Sequence, residues 1–456
     1  MAHVPDAPLT AGSATVDITP PLTIPELGFF NARHTFFRGV HDPLHARAVV
    51  VDDGDDRVAL VMVDAIGVTR RAFGEGRDFI AEARERAARM TGISPDHIMI
   101  AATHAHSTPE TLGARPLTSH PGAAEWLEVF ADKLASAVAL ADRAREPARI
   151  KQAAGRADGV GWCRRIIGKD GRIHSYGERP PDDEIADWGT NDPLVTVLCL
   201  ETLDGRPKTA LVHFTCHPVT VQVNELVSAD YPGAAIAHVE RAGIGCEHCM
   251  FVQGACGNIN PVRNTSGFGD VALYGQILGA EAVKLLGLAA ASDYPAASSR
   301  VAAATAHVQI ASRELPDLAE LERERAAREQ EAAKNDTQRA AAQNAVQVLE
   351  EHIARAELGA GPFEAEVQVL RIGGMAFVGI SVEPFVEVGL AIRGISDTLT
   401  CVCVGYANDY LGYVGPPEAW DQGGYEFSLG MWAILGREAF GRILGAAKEV
   451  VVKMGG

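Results

Sequence analysis

The sequence predicts an α/β fold: a large mixed β-sheet core flanked by helices, with a charged helical hairpin inserted at about 313–358. Three observations carry this expectation. Short apolar and β-branched runs alternate with segments whose apolar residues recur at helical spacing, the order expected of a layered α/β domain. Several of the strand-like runs end in histidine or a carboxylate, which puts chemistry at strand ends. Between 313 and 358 aromatic residues vanish and Glu, Arg, Ala and Gln dominate, as in two solvated helices.

The 456 residues would allow about three domains by length alone, but large α/β enzymes commonly form one. The expectation is a single domain over 1–456 with the hairpin inside it. With 47% hydrophobic and 22% charged residues the chain has an ordinary globular composition. A net charge of −18 without a basic cluster argues against nucleic acid. The apolar stretch near 275–291 is interrupted by Glu281 and Lys284, so no membrane span is expected. The first eight residues lack the positive and apolar regions of a secretory leader, and the chain reads as cytoplasmic. Eight cysteines in so long a chain make no disulfide framework. Cys246 and Cys249 have zinc-knuckle spacing but no second pair, and read as buried thiols.

In chain order, residues 11–21 alternate and stop at two prolines, as a strand and turn would. Two paired strands follow, one ending near Val51 and one at Val58–Asp64, joined by the turn Asp53-Gly54. Asp64 is either a turn cap or a partner of the histidines further on. A helix is expected over 69–91, then a strand from His97 into Thr103-His104-Ala105-His106-Ser107. In extended backbone, residues two apart share a face, so His104 and His106 would enter one cavity. Another helix spans about 122–145, and a strand follows at 148–154. The polar stretch 156–193, with Arg164 and Arg165, is long for a loop.

Strands are expected at 192–201 and 209–217, the second carrying His213 and His217 on one face and ending at Pro218. A helix begins near Ala234. Strand 249–254 opens into the Gly/Asn-rich turn Gly257-Asn258-Ile259-Asn260-Pro261, where backbone approaches the cleft. After the hairpin, which Asn335-Asp336 interrupts, strands at 365–372 and 375–382 place Glu383 at a strand end. Strand 399–406 leads to Tyr410-Leu411-Gly412-Tyr413-Val414 and Tyr425-Glu426, and a helix over 429–452 closes the chain.

With Ala102-Thr103-His104-Ala105-His106-Ser107, His217-Pro218, Ser228-Ala229-Asp230, Gly257–Pro261 and Tyr410–Val414, the sequence resembles the catalytic domain of the neutral/alkaline non-lysosomal ceramidase family. The matches recur in family order over about 11–310 and 365–430. The resemblance implies a zinc-dependent amidase cleaving an N-acyl bond. It implies His104, His217, Glu383 and Tyr413 as ligands of one Zn2+, with His106, Arg164 and Tyr425 around the scissile carbonyl. Arg165 is the alternative to Arg164.

The departures are as informative as the matches. Asn260 stands where the family has a serine, which argues against a serine nucleophile. Thr108-Pro109-Glu110 replaces a glycine-rich continuation and would set a carboxylate at the pocket mouth. Neither an immunoglobulin-like domain nor a leader is recognised. The expected substrate is therefore a smaller, soluble N-acyl compound or ester rather than long-chain ceramide. An esterase or lactonase on the same site, and a non-catalytic metal-stabilised binding protein, are the alternatives. Assembly into a homo-oligomer stays open.

Two imidazoles, a carboxylate and a phenolic oxygen form a donor set that zinc accepts. A dication beside the phenol favours its phenolate, although a free phenol ionises only near pH 10.

Overall fold

The β-branched runs pair as expected into a large mixed sheet, and a second, four-stranded sheet packs behind it. The computed structural model describes residues 9–25, 36–112, 120–174, 180–222, 224–263, 265, 267–291, 298–334 and 339–455. The leader region and Asn335-Asp336 lie outside them. The larger sheet has eight strands in the order His248–Gln253, Pro207–Phe214, Leu194–Thr202, Glu146–Arg156, Thr10–Asp17, His45–Asp52, Arg57–Val63 and Ile98–Ala102. It is mixed: the pairs at its two edges run parallel and the inner pairs antiparallel. Behind it lies a second sheet of four strands, Val301–Ile310, Phe363–Ile372, Met375–Ile380 and Thr400–Val404.

Strands buried on both faces read as continuous apolar runs, and these do. One face of the large sheet gives Leu60, Met62, Met99 and Met250 to a shared core with Leu370, Met375, Phe377 and Val402 of the small one. The other face of the large sheet is covered by helices Phe79–Thr91 and Ala123–Arg143 at one end. Helices Asp230–Arg241 and Phe268–Ala291 cover it at the other. Helices Val386–Arg393 and Ala439–Lys453 cover the small sheet's outer face. The result is four layers, helix–sheet–sheet–helix. Helix Phe268–Ala291 is long and apolar enough to cross a membrane by length and composition. Here Tyr274, Leu278, Leu285 and Leu286 pack into the core.

Three expectations change. The 69–91 helix divides into a short turn, Arg70–Phe73, and a helix from Phe79, because Gly74 and Gly76 take positive φ and Asp78 caps the second start. The last helix begins at Ala439, not near 429. The long 156–193 stretch folds into a small sheet of Ile166–Gly168, Ile173–His174 and Ile185–Asp187. The inserted hairpin is present as helices Leu318–Lys334 and Arg339–Glu357, joined by an apolar contact of Leu321, Leu349 and Ile353.

A buried polar network ties the two sheets together. Glu366 of the small sheet accepts from Arg70 at 2.5 Å, Arg84 at 2.8 Å and Asn408 at 3.0 Å. Arg84 also donates to Ile98 O, and Asn408 Oδ1 accepts from Ile100 N, so the edge strand Ile98–Ala102 is held from its partner sheet. That strand delivers His104.

Candidate metal centre and its surroundings

Loops from both sheets converge beyond this strand. Thr103 N donates to Val63 O, His106 N to Pro218 O, His217 N to Ile259 O, and Glu383 N to Gly412 O. Two glycines permit the closest approaches. A Cβ on Gly257 would lie 2.9 Å from Pro384 O, and one on Gly412, at φ 80°, would collide with Trp432 O. His104 and Tyr406 both adopt positive φ, 66° and 57°, and stack with ring centroids 3.9 Å apart. Such left-handed non-glycine residues cost free energy and gather where surrounding structure holds a site. The extended geometry expected for His104-Ala105-His106 is thus corrected, since the strand ends at Ala102. The two imidazoles still meet, through a left-handed turn rather than a β-pleat.

The centre consists of acceptors. His104 Nδ1 donates to Ile66 O at 2.5 Å and His217 Nδ1 to Cys256 O at 2.6 Å. These carbonyls assign the tautomers and leave a lone pair on each Nε2. The two Nε2 atoms lie 3.2 Å apart, and Glu383 Oε1 is 3.2 Å from one and 2.9 Å from the other. No correctly angled hydrogen bond among the described residues reaches that oxygen. Tyr410 donates to the other carboxylate oxygen at 2.7 Å. Burial pushes His217 down to about 4.

Lone pairs packed this closely repel unless a cation lies among them. Zinc bonds of about 2.0–2.2 Å place tetrahedral ligand atoms about 3.3 Å apart. The observed separations fit. His104, His106 and His217 together offer nitrogen atoms within 4.8 Å of one another. His106 Nε2 is 3.2 Å from His104 Nε2, but its Nδ1 is buried with no partner among the described residues. A ligating histidine almost always donates its second nitrogen. His106 lacks that support, which separates it from His104 and His217.

Arg164 closes the other side. It donates to Tyr413 Oη at 3.0 Å, Asn260 Oδ1 at 3.2 Å and Glu426 Oε1 at 2.9 Å. Tyr413 pairs across strands with Glu383, which sets the phenol beside the carboxylate. Tyr425 stands edge-on to Tyr413 at 6.2 Å and stacks on Trp432. The resemblance-derived residues His104, His106, Arg164, His217, Glu383, Tyr413 and Tyr425 therefore come together from six separate segments of the chain.

Other candidates do not join them. Arg165 turns to Glu426, Ala419 O and Gly423 O, so Arg164 is the arginine of the site. Asp64 binds His45 N and Arg47, and touches the loop only through Thr103. His213 leaves the face of His217 because the strand stops at Phe214, and it contacts Cys403 O instead. Cys246 and Cys249 are buried free thiols pushed up by burial. Glu110 is buried, with Oε1 accepting from Leu112 N in a local turn.

Three contributors went unassigned in the sequence: Tyr410, which orients Glu383; Tyr406, which packs on His104; and Glu426, which clamps Arg164. Two lay inside the quoted motifs Tyr410–Val414 and Tyr425-Glu426. Tyr406 had no signal beyond ending a strand.

The family described as neutral/alkaline non-lysosomal ceramidase, N-terminal, matches residues 9–269. Among solved structures, the neutral ceramidase from Pseudomonas aeruginosa superposes with a TM-score of 0.71 at 19% identity, covering 98% of this chain and 75% of that one. A ceramidase complexed with C2 gives 0.71 at 17% identity with the same coverage. At these identities the structures speak to the fold.

Proposed function

The chain belongs to the neutral/alkaline non-lysosomal ceramidase family, and on that basis we propose that it is a zinc-dependent hydrolase of N-acyl bonds; a substrate smaller than long-chain ceramide is a second proposal, which the substrate panel below decides. The observation that carries the metal reading is the cluster of His104, His217 and Glu383, whose Nε2 and Oε1 atoms lie 2.9–3.2 Å apart while both Nδ1 atoms face backbone carbonyls. Those three residues and Tyr413 would hold the ion. When bound, zinc supplies a water ionised near neutral pH and a polarised carbonyl.

The chain's own groups divide the remaining work. Arg164, fixed through Nε on Glu426, directs its Nη groups at Tyr413 and Asn260, next to where negative charge develops on a carbonyl oxygen. The fully buried Glu426 supplies its counter-charge at 2.9 Å. His106 Nδ1 has no competing partner among the described residues, so it can carry a proton to the leaving nitrogen. Tyr425 walls the pocket beside Tyr413. The Asn260 amide offers no nucleophile, which favours attack by water.

Elemental analysis of protein purified without added metal, with hydrolysis of short N-acyl amines, N-acyl amino acids, esters and solubilised ceramide, tests this reading. About one zinc per chain and chelator-sensitive amide cleavage are expected. Less than about a tenth of an equivalent, without activation by zinc, would remove the metal. Zinc without turnover would leave a binding protein, and a tenfold preference for ceramide, about 1.4 kcal/mol, would restore the lipid substrate.

A further inference from the structure

Three arginines beside the centre have no counter-charge among the described residues. Arg71 Nη2 donates to Tyr410 O at 3.2 Å, and Arg313 Nη1 to Phe427 O at 2.7 Å. Arg355, with none of its surface exposed, donates to Gly359 O, Ile434 O and Ser312 Oγ. Every one of these acceptors is neutral. No carboxylate lies within 4 Å of any of the three among the described residues, and the Nε of each is buried without a partner. Glu324, on the facing hairpin helix, lies 3.8 Å from Arg328 of its own helix. In a chain of net charge −18 this is a conspicuous omission. The other well-buried arginines Arg47, Arg84, Arg164 and Arg165 all have a carboxylate.

The three belong to one locality. Arg313 N and Arg355 Nη2 share Ile434 O, and Arg355 is pushed down to about 10 by burial first and then by Arg313 and Arg71. They grip the loops that build the centre. Tyr410 carries its hydroxyl to Glu383, Phe427 follows the glutamate that clamps Arg164, and Ile434 lies two residues past Trp432, whose carbonyl accepts Tyr413 N. The hairpin residues Ala354 and Leu358 pack into the same apolar cluster as Tyr406 and Tyr410. Buried charge without a partner is costly and is retained where something else neutralises it. Arg71 Nη1 and Arg313 Nη2 are neither hydrogen-bonded nor sealed, so an incoming group has donors to meet. Arginine forks match planar and tetrahedral oxyanions.

We propose that Arg71 and Arg313, backed by the buried charge of Arg355, bind an oxyanion carried by the substrate, so that the N-acyl compound is an acid: a carboxylate or a phosphate monoester. This rests on the amide-hydrolase reading. The inserted hairpin thereby contributes to specificity through Arg355.

The test compares kcat/KM for two pairs that differ in charge: N-octanoylglycine against N-octanoylglycinamide, and N-octanoyl-phosphoethanolamine against N-octanoylethanolamine. The wild-type protein should prefer the acid in at least one pair by about tenfold or more, and which pair identifies the oxyanion. Arg71→Gln and Arg313→Gln should bring that ratio to within about threefold, while Arg313→Lys keeps most of it. Thermal midpoints accompany each variant; if Arg71→Gln does not fold, Arg313→Gln decides. Calorimetry with octylsulfonylglycine, a sulfonamide that resists hydrolysis, and with its primary amide reads binding without turnover. Arginine-dependent binding of the acid with no amide hydrolysis would keep this site and retire the hydrolase. Hydrolysis without charge preference in either pair, or a preference unchanged in both Gln variants, would overturn the site and keep the hydrolase.

Discussion

Two buried polar clusters lie at opposite ends of the strand Ile98–Ala102, and they are built on opposite principles. Around Glu366 every acceptor has its donors: Arg70, Arg84 and Asn408 surround one carboxylate, and Gln368 completes the set through Asn408 and Asp96 O. Around Glu383 the acceptors face one another, with the imidazole protons turned outward to Ile66 O and Cys256 O. A balanced cluster is complete as folded, whereas one short of positive charge is finished by something the chain does not supply. Burial alone does not separate the two, since Glu366 and Glu383 are almost equally covered. The count of donors against acceptors does.

The largest effects should therefore be of different kinds. Substituting His104→Ala is expected to lower kcat/KM by about a thousandfold or more, the scale of losing transition-state charge stabilisation, and to abolish zinc retention. In the chelated protein the same change should move stability by less than about 1 kcal/mol, because one of the crowded lone pairs is gone. Glu366→Ala should do the reverse. It strands Arg70 and Arg84 and is expected to cost about 3–5 kcal/mol in denaturant unfolding, with a smaller change in activity per folded molecule. Equal stability losses in the two variants, measured without metal, would break the comparison.

The sequence made the cluster around Glu383 legible and hid the one around Glu366. Histidines and carboxylates at strand ends are visible as text, and the resemblance sorted them into roles. Arg70, Arg84, Glu366 and Asn408 are separated by up to about 340 residues, and each alone reads as an ordinary charged or turn residue. The same limit concealed the second sheet: the strands at 365–382 were recognisable, but their β-branched pattern carries no information about which sheet they join. Glu110 misled for a related reason. A carboxylate beside a pocket motif suggests a function, but its hydrogen bond to Leu112 N, two residues on, is a local turn that composition does not reveal.

The balanced cluster also has its own pH signature, smaller than either substitution. Burial works to raise Glu366, and Arg84 and Arg70 outweigh it, so the folded carboxyl lies below its ordinary value near 4.5. A depressed folded value means the stabilisation is present above about pH 4.5 and is lost as pH falls through the folded value. The stability gap between the wild-type protein and Glu366→Gln should be widest at neutral pH and close on acidification below about 4. Unfolding curves at several pH values with metal removed check it; a gap that widens in acid would show that the arginines do not hold this carboxylate charged.

Asn260 offers the finest test, because it lies on the border between the two kinds of cluster. Its Oδ1 accepts one N–H of Arg164, and that arginine belongs to a balanced set with Glu426, Arg165 and Tyr413. Its backbone belongs to the loop whose Ile259 O accepts His217 N, so it stands one residue from the acceptor cluster. If its contribution is that of the balanced set, Asn260→Ala removes a single charge-assisted bond of about 1.5–3 kcal/mol at most. Arg164 keeps Glu426 and Tyr413, so the expected loss of kcat/KM is less than about tenfold, or 1.4 kcal/mol. A loss of about a thousandfold, or a trapped acyl-enzyme in the wild-type protein that disappears in the variant, would instead place a side chain and not water at the head of the reaction. The measurement is the same hydrolysis assay run beside His104→Ala, with zinc content determined for both proteins. Retained zinc with retained turnover would locate Asn260 among the supporting groups of the site, and retained zinc with lost turnover would move it into the chemistry.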